Sequence, residues 1–307
     1  MSSPLHICNT FFEKELETRD KKPLAEWIRS HPVVMQLQFL PLLYAGPNDS
    51  ILVSDLPRDP DPRLCLEPPP GTTHIEHWGP SEAIARWAKS HHIPYTIPPW
   101  NVVQKVNSKI FSFTESPPLP GAALLETGQE ITQWIAKTPG PKVLKTPFGT
   151  AGRGHVLNPN VKRLYIGPLI GEPWVERLQD FSTQWKDGAL LGVTVFENEP
   201  NGTYRGTFEA SVETWALEEH LAVAKPLIEK IAKLGYSGYV GIDSFIYLWE
   251  GKKRVHPIVE INARKTMSWV ALQMPQKRLY FTHIQDGLLP NQLSVRGKTV
   301  QFSRNVV

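Results

Sequence analysis

Three polar residues near the C-terminal end have the types and spacing to do chemistry together: Asp243, and Glu260 with Asn262 two positions further on. Side chains two apart on a strand project to one face, so Glu260 and Asn262 point together while Val259 and Ile261 point the other way. By the same rule Asp243, Phe245 and Tyr247 share a face. If the two segments pair as neighbouring strands, three hard oxygen donors meet at one spot. Such a set suits Mg²⁺, which takes carboxylates together with phosphate oxygens and retained water. A solvated strand edge would account for any one of these acids alone. Here they alternate with Ile242, Ile258, Val259 and Ile261, so part of each strand is buried, and a buried carboxylate requires a counter-ion. Arg264 and Lys265 follow at once, placed to neutralise the acids or an anionic substrate.

A second constellation is Lys145-Thr146-Pro147-Phe148-Gly149-Thr150-Ala151-Gly152-Arg153-Gly154-His155. A strand ending in lysine runs into a loop with three glycines, which lets backbone N–H groups approach phosphate oxygens closely. The loop has no Gly-Lys-Ser/Thr and no Gly-x-Gly-x-x-Gly, so it is neither a Walker A loop nor a dinucleotide fingerprint. An ordinary glycine-rich turn would explain it if it stood alone. A third segment, Trp174-Val175-Glu176-Arg177-Leu178 followed by Asp180-Phe181-Ser182, is an alternating strand stopping at an acid. It could offer backbone groups to a base and a carboxylate to ribose hydroxyls, or be one more strand with a charged end.

The elements that must position these groups are legible in outline. Proline clusters within residues 57–70, 94–99 and 117–120 punctuate the first half, because proline fixes its own φ and biases the preceding residue away from helix. The apolar runs 33–45 and 51–53 are expected as strands. Residues 81–92 are expected as a helix capped by Ser81, with Ile84, Trp87 and Ala88 inward. Thr127 and Glu130 form a capping box ahead of Ile131, Trp134 and Ile135, and a strand is expected at 142–145. Beyond residue 163 strands dominate, at 163–166, 173–178, 189–196, 203–210, 239–248 and 254–262. One long helix over 215–234 interrupts them, ended by Gly235, and Pro226 inside it predicts a kink or break. Strands, a packed helix and more strands give an α+β arrangement.

Composition narrows the class. The 307 residues suffice for two or three packed subdomains, and a net charge of +3 without a basic block gives no support for nucleic acid as a partner. The two cysteines, Cys8 and Cys65, lack any CxxC spacing, so neither a disulfide framework nor a zinc site is indicated. The early run of Glu13, Lys14, Glu15 and Glu17 has no signal-peptide order. The most apolar run is shorter than the roughly 20 residues of a membrane span. A cytoplasmic protein with no membrane partner is expected.

Taken in order, these elements resemble the ATP-grasp superfamily over about residues 100–270, after a segment similar to the small domain that usually comes before it. The resemblance implies an α+β ATP-grasp fold, two subdomains gripping ATP, preceded by a small α/β domain. Residues 1–103 would form that first domain. Residues 104–307 would form the ATP-grasp domain, with 104–178 bearing the lid and 179–307 the metal and nucleotide site. It further implies that Lys109, in Asn107-Ser108-Lys109, and Lys145 hold phosphate oxygens. Gly149, Gly152, Arg153 and Gly154 would form the lid, Glu176, Arg177 and Leu178 the adenine hinge, and Asp180 the ribose acid. Asp243, Glu260 and Asn262 would be the Mg²⁺ ligands, with Arg264 steadying the intermediate and Lys265 or Arg205 sharing that task. The activity implied is an ATP- and Mg²⁺-dependent ligase joining a small carboxylate to an amine or amino acid, or to a thiol, through an acylphosphate. A kinase acting on a hydroxyl substrate, and an ATP-binding interaction protein without turnover, are the alternatives; assembly into a homo-oligomer is left open.

Overall fold

The structure is a computed structural model that describes residues 3–18, 20–58, 60–149, 154–200, 202–274, 279–280, 292–295 and 298–301. Its first part is a parallel sheet in the order β3-β2-β1-β4, formed by β1 (Leu5–Ile7), β2 (Ser50–Leu52), β3 (Leu64–Cys65) and β4 (Ile75–His77). Helices α1 (Phe12–Glu17), α2 (Leu24–Arg29), α3 (Pro32–Leu37) and α4 (Glu82–Ser90) accompany it. Ser81 caps α4 as its sequence predicts, accepting from the Ile84 amide. The run 33–45 differs from expectation: it is α3 followed by a 3₁₀ turn, Leu40–Leu43. His31 caps α3 and Pro32 opens it, and a short apolar run cannot by itself distinguish a strand from a buried helix. Cys8 and Cys65 are free thiols.

Two short helices, α5 (Trp100–Asn107) and α6 (Lys109–Thr114), lead to an antiparallel sheet ordered β5-β8-β6-β7. Its strands are β5 (Ala123–Leu125), β6 (Lys142–Lys145), β7 (His155–Leu157) and β8 (Leu169–Pro173). Helix α7 (Gly128–Lys137) covers it behind its capping box, burying Ile131 and Ile135 against Leu125, Leu144 and Leu169. The strand expected at 163–166 does not form. Leu164 and Ile166 are each 83% exposed and find no pairing partner among the described residues.

The largest sheet is antiparallel and six-stranded, ordered β13-β12-β9-β10-β11-β14. It contains β9 (Glu176–Lys186), β10 (Ala189–Asn198), β11 (Tyr204–Phe208), β12 (Tyr239–Trp249), β13 (Lys252–Asn262) and β14 (Leu279–Tyr280), with a separate hairpin of β15 (Gln292–Val295) and β16 (Lys298–Gln301). Helix α8 (Thr214–Lys233) packs Ala224, Leu227, Ile228 and Ile231 on one face of it, against Trp185, Val240, Ile242, Ile258 and Ile261. The helix runs through Pro226 without the expected break, since packing of its apolar stripe outweighs one lost hydrogen bond. Gly235 follows it at φ +96, a conformation that favours glycine. Helix α9 (Met267–Leu272) completes the fold. Among the described residues no helix is long and apolar enough to cross a membrane.

Candidate active site

With α8 covering one face of the large sheet, the opposite face of β12 and β13 carries the polar set. The two strands are antiparallel neighbours, and their register puts Asp243 directly across from Glu260. Asn262 donates its amide to Asp243 Oδ2 at 3.1 Å, and Ser182 on β9 donates to Asp243 Oδ1 at 2.7 Å. The ladder shifts register between Asp243 and Phe245. Ile261 therefore faces the α8 core as alternation predicts, whereas Val259 packs beside Phe245 and Leu119 on the site face.

Helices α5 and α6 are stitched to the end of β13 from above. Asn107 Oδ1 accepts from the Ala263 amide at 2.8 Å, and Ser112 Oγ from the Ile261 amide at 3.0 Å. Those bonds hold the start of α6 over the strand, so Lys109 Nζ meets Glu260 Oε1 at 2.5 Å and also donates to the Gly149 carbonyl at 2.8 Å. From the small sheet Lys145 Nζ meets Glu172 Oε2, on β8, at 2.5 Å, and both side chains are buried. His155 lies opposite Lys145 on β7, with its Nδ1 buried and without a hydrogen-bond partner.

The electrostatics of these groups are uneven. Burial, then the charge of Glu260, pushes the Asp243 carboxyl up to about 7. Burial works to raise Glu260 and Glu172 as well, yet the lysine beside each overrides it, and both carboxyls end below their ordinary value. Burial and the charges of Lys145 and Lys109 lower His155 to about 4, leaving a neutral imidazole across from Lys145. His256 falls to about 4 through burial, with Glu172 opposing the shift. Among the described residues no three His, Cys, Asp or Glu side chains gather closely enough to hold a metal by themselves. The donor set at hand is two carboxylates and an amide, which is the kind of set that Mg²⁺ completes with phosphate oxygens and water.

The remaining sequence candidates are distributed as follows. Gly149 and Gly154 flank the loop at φ +141 and +81, and a Cβ at Gly154 would overlap Thr146 Oγ1. Gly152 and Arg153 lie outside the described residues. Glu176, Arg177 and Leu178 are in the β9 ladder, where Arg177 pairs with Tyr247; Glu176 is exposed and Leu178 is 42% exposed. The Arg177 guanidinium lies 4.1 Å from the Phe245 ring centroid and donates to Asp180 Oδ1 at 2.9 Å. The crossover between the two sheets is at residues 174–175, and the acid that reaches the lysine cluster is Glu172, before it. Sequence reasoning missed Glu172. Its signal is an acid inside the otherwise apolar β8, with a lysine ending the neighbouring strand.

Arg264 does meet the site: its Nη2 donates to Asn262 Oδ1 at 2.9 Å, while its Nε forms an ion pair with Glu13 Oε1 from α1. Lys265 turns away from it, to Glu76 on β4. Arg205, on β11, is exposed and pairs with Glu199 at 3.8 Å.

No protein-family model matches the chain, and no curated protein matches it. Solved structures do. An ADP complex of N5-carboxyaminoimidazole ribonucleotide synthetase is 14% identical and superposes with a TM-score of 0.50, covering 87% of this chain and 71% of that one. The Staphylococcus aureus N5-carboxyaminoimidazole synthetase with ADP is 16% identical, with a TM-score of 0.45 over 63% of this chain and 54% of that one. For the biotin carboxylase domain of the Hydrogenobacter thermophilus 2-oxoglutarate carboxylase the values are 17%, 0.46, 63% and 50%. The chain thus spans about half the length of the latter two. The likeness to the first of these structures gives this chain the ATP-grasp fold.

Proposed function

From the ATP-grasp fold as premise, we propose that this chain is an ATP- and Mg²⁺-dependent ligase that activates a small carboxylate as an acylphosphate and joins it to an amine or amino acid. The observation that carries this reading is the charge set between the two sheets. Two buried lysines each sit 2.5 Å from a carboxylate, and a third carboxyl, Asp243, lies across from Glu260 and is raised to about 7. That is one more acid than the lysines neutralise.

Asp243, Glu260 and Asn262 would hold Mg²⁺, which when bound spreads the charge of the transferred phosphoryl group. Lys109, released from Glu260, and Lys145, released from Glu172, move their ammonium groups to phosphate oxygens. Each lysine then exchanges one anion for another without returning to water, so little reorganisation is needed. Gly149, Gly152, Arg153 and Gly154 belong to the lid that closes over the phosphates and excludes water. The crossover after Glu172, continuing through Glu176, Arg177 and Leu178, offers backbone groups to adenine, with Asp180 toward the ribose. A substrate carboxylate oxygen bonds to the γ-phosphorus as ADP leaves; the amine then bonds to the acyl carbon and phosphate leaves. Arg264 steadies the anionic intermediate through its forked donors. The division into residues 1–103, 104–178 and 179–307 follows the same reading.

The test is release of ADP and phosphate from ATP with Mg²⁺ across panels of carboxylates and amines. Turnover should require both co-substrates and vanish in Lys145→Ala and Glu260→Ala. Unchanged turnover in both variants contradicts the site. A stable phosphorylated product formed without any amine makes the protein a kinase, and ATP binding without turnover under any acceptor makes it a binding protein.

A further inference from the structure

The residue after Arg264 is among the least exposed charged side chains described. The Lys265 side chain is 2% exposed, and its Nζ lies 2.7 Å from Glu76 Oε2. Three rings surround the ammonium, with centroids at 4.7 Å for Trp269, 4.9 Å for Tyr239 and 5.7 Å for Tyr44. Those rings come from α9, from the start of β12 and from the segment after the 3₁₀ turn, so the lysine is gripped from several parts of the fold at once. Its backbone amide donates to the Trp78 carbonyl at 2.8 Å, one more bond from the ATP-grasp part of the chain to the parallel-sheet part.

We infer that Lys265 is a positioning residue for Arg264, and that its aromatic cage and Glu76 make the N-terminal parallel-sheet unit set the aim of the arginine in the active site. The segment 263–266 is fixed on both sides of Arg264. Upstream the Ala263 amide is held by Asn107, and downstream Thr266 donates to Gln184 Oε1 at 2.7 Å and caps α9. Between them the backbone turns sharply, the Arg264 amide bonding to the Asn262 carbonyl at 2.8 Å. Such a turn leaves the direction of residue 264 dependent on where residue 265 is anchored. The guanidinium donates to Asn262 and to the Lys265 carbonyl, the latter at 3.0 Å, and forms an ion pair with Glu13, with the Trp78 ring centroid 5.9 Å away.

Stability alone gives weak reason for this construction. A buried ion pair is often replaceable by apolar side chains of similar volume with no loss of stability, whereas its directional demand specifies one arrangement. An ammonium needs both its counter-ion and the ring faces, and only one placement of the chain supplies them. A methionine in the same cage would pack without that demand.

The inference uses the proposed ligase reading only for its activity measurement, and a second measurement is independent of it. Lys265→Met alone takes the ammonium from the half-buried Glu76, whose other carboxylate oxygen meets His74 Nε2 at 3.0 Å, so the test variant is Lys265→Met with Glu76→Gln, which removes both charges together. It is made in the full chain and checked for a native circular dichroism spectrum. Modification of Arg264 by phenylglyoxal, followed by peptide mass spectrometry, should be faster in the double variant than in the wild type, with Arg63 unchanged as internal reference. Turnover number should fall between about ten- and a hundredfold, as expected for a misaimed group, while KM for ATP stays within about twofold. An unchanged Arg264 labelling rate in the folded double variant overturns the inference, whether or not the wild type turns over ATP. Faster labelling with an unchanged turnover number also overturns it, since the arginine would then be held but not aimed. A wild type without turnover removes the ligase reading and leaves the labelling result to decide the positioning.

Discussion

Two clusters of buried charge lie within a few residues of each other along β13 and its continuation, and they differ in how completely they are neutralised. In the cluster at residues 263–265 each cation has its own acid: Arg264 has Glu13 and Lys265 has Glu76. Burial works to raise Glu76, yet Lys265 overrides it and holds the carboxyl at about 2. In the cluster on the site face burial, then the charge of Glu260, pushes Asp243 up to about 7, and its hydrogen-bond partners are a hydroxyl and an amide. The first cluster is closed, a joint between two parts of the fold. In the second no ion pair reaches Asp243 among the described residues, an arrangement that fits the proposed uptake of Mg²⁺. Similar residue types at similar burial thus end differently: Glu76 is lowered beside Lys265 and Glu260 beside Lys109, whereas Asp243, with no lysine against it, is raised.

Removing an acid from the open cluster should have the largest effect. Glu260→Gln should lower kcat/KM for ATP-dependent turnover by about 10²- to 10³-fold, measured as ADP release at fixed Mg²⁺, since the lost group acts on charge developing in the transition state. Equal rates in wild type and variant would move the metal elsewhere. Next in size is the cost of leaving Glu172 alone. Lys145→Met strands a buried carboxylate and should destabilise the fold by about 3–5 kcal/mol in denaturant titrations. The added substitution Glu172→Gln should recover most of that loss while nucleotide affinity stays reduced. Recovery of both would make the pair structural only.

A smaller effect is expected with pH. If Asp243 holds the metal in its ionised form, as proposed, Mg²⁺ affinity in the presence of ATP should rise with pH and level off above about 7, the value to which its folded pKa is raised. One linked proton gives a slope of about tenfold per pH unit below the plateau. The Asp243–Glu260 pair titrates as a unit, so the slope belongs to the pair, and Asp243→Asn should remove it. The smallest effect belongs to the closed cluster. Glu76 has a folded pKa depressed from 4.5 to about 2, so its contribution to stability is present above 4.5 and lost as pH falls toward 2. Unfolding curves between those values should be flatter for Glu76→Gln than for the wild type, and parallel curves would mean that the joint is not an ion pair in solution.

Much of the site face was legible because it depends on local periodicity. Period-two alternation placed Asp243, Glu260 and Asn262 on one face, and antiparallel pairing of consecutive strands brought them together. The Thr127 capping box and the apolar stripe of α8 were legible for the same reason: their signals lie within one turn or one helix. What was hidden depends on partners far away in sequence. Val259 faces the site because of a register shift that no alternation rule reports. Glu172 matters through Lys145, 27 positions before it, and Lys265 turns from the site toward Glu76, 189 positions before it. Residues 33–45 form a helix and a 3₁₀ turn where strand is expected, because apolar content alone does not fix the period and the His31 cap is visible only in the fold.

Whether the open cluster accepts Mg²⁺ together with ATP is decided by calorimetric titration of ATP into the wild type and into Asp243→Asn/Glu260→Gln, each with and without Mg²⁺. The wild type should bind ATP and Mg²⁺ should tighten that binding, while in the double variant the tightening should disappear and a weaker, metal-independent affinity from Lys109 and Lys145 should remain. Absence of ATP binding to the wild type, or tightening by Mg²⁺ that survives in the double variant, would contradict the proposed site.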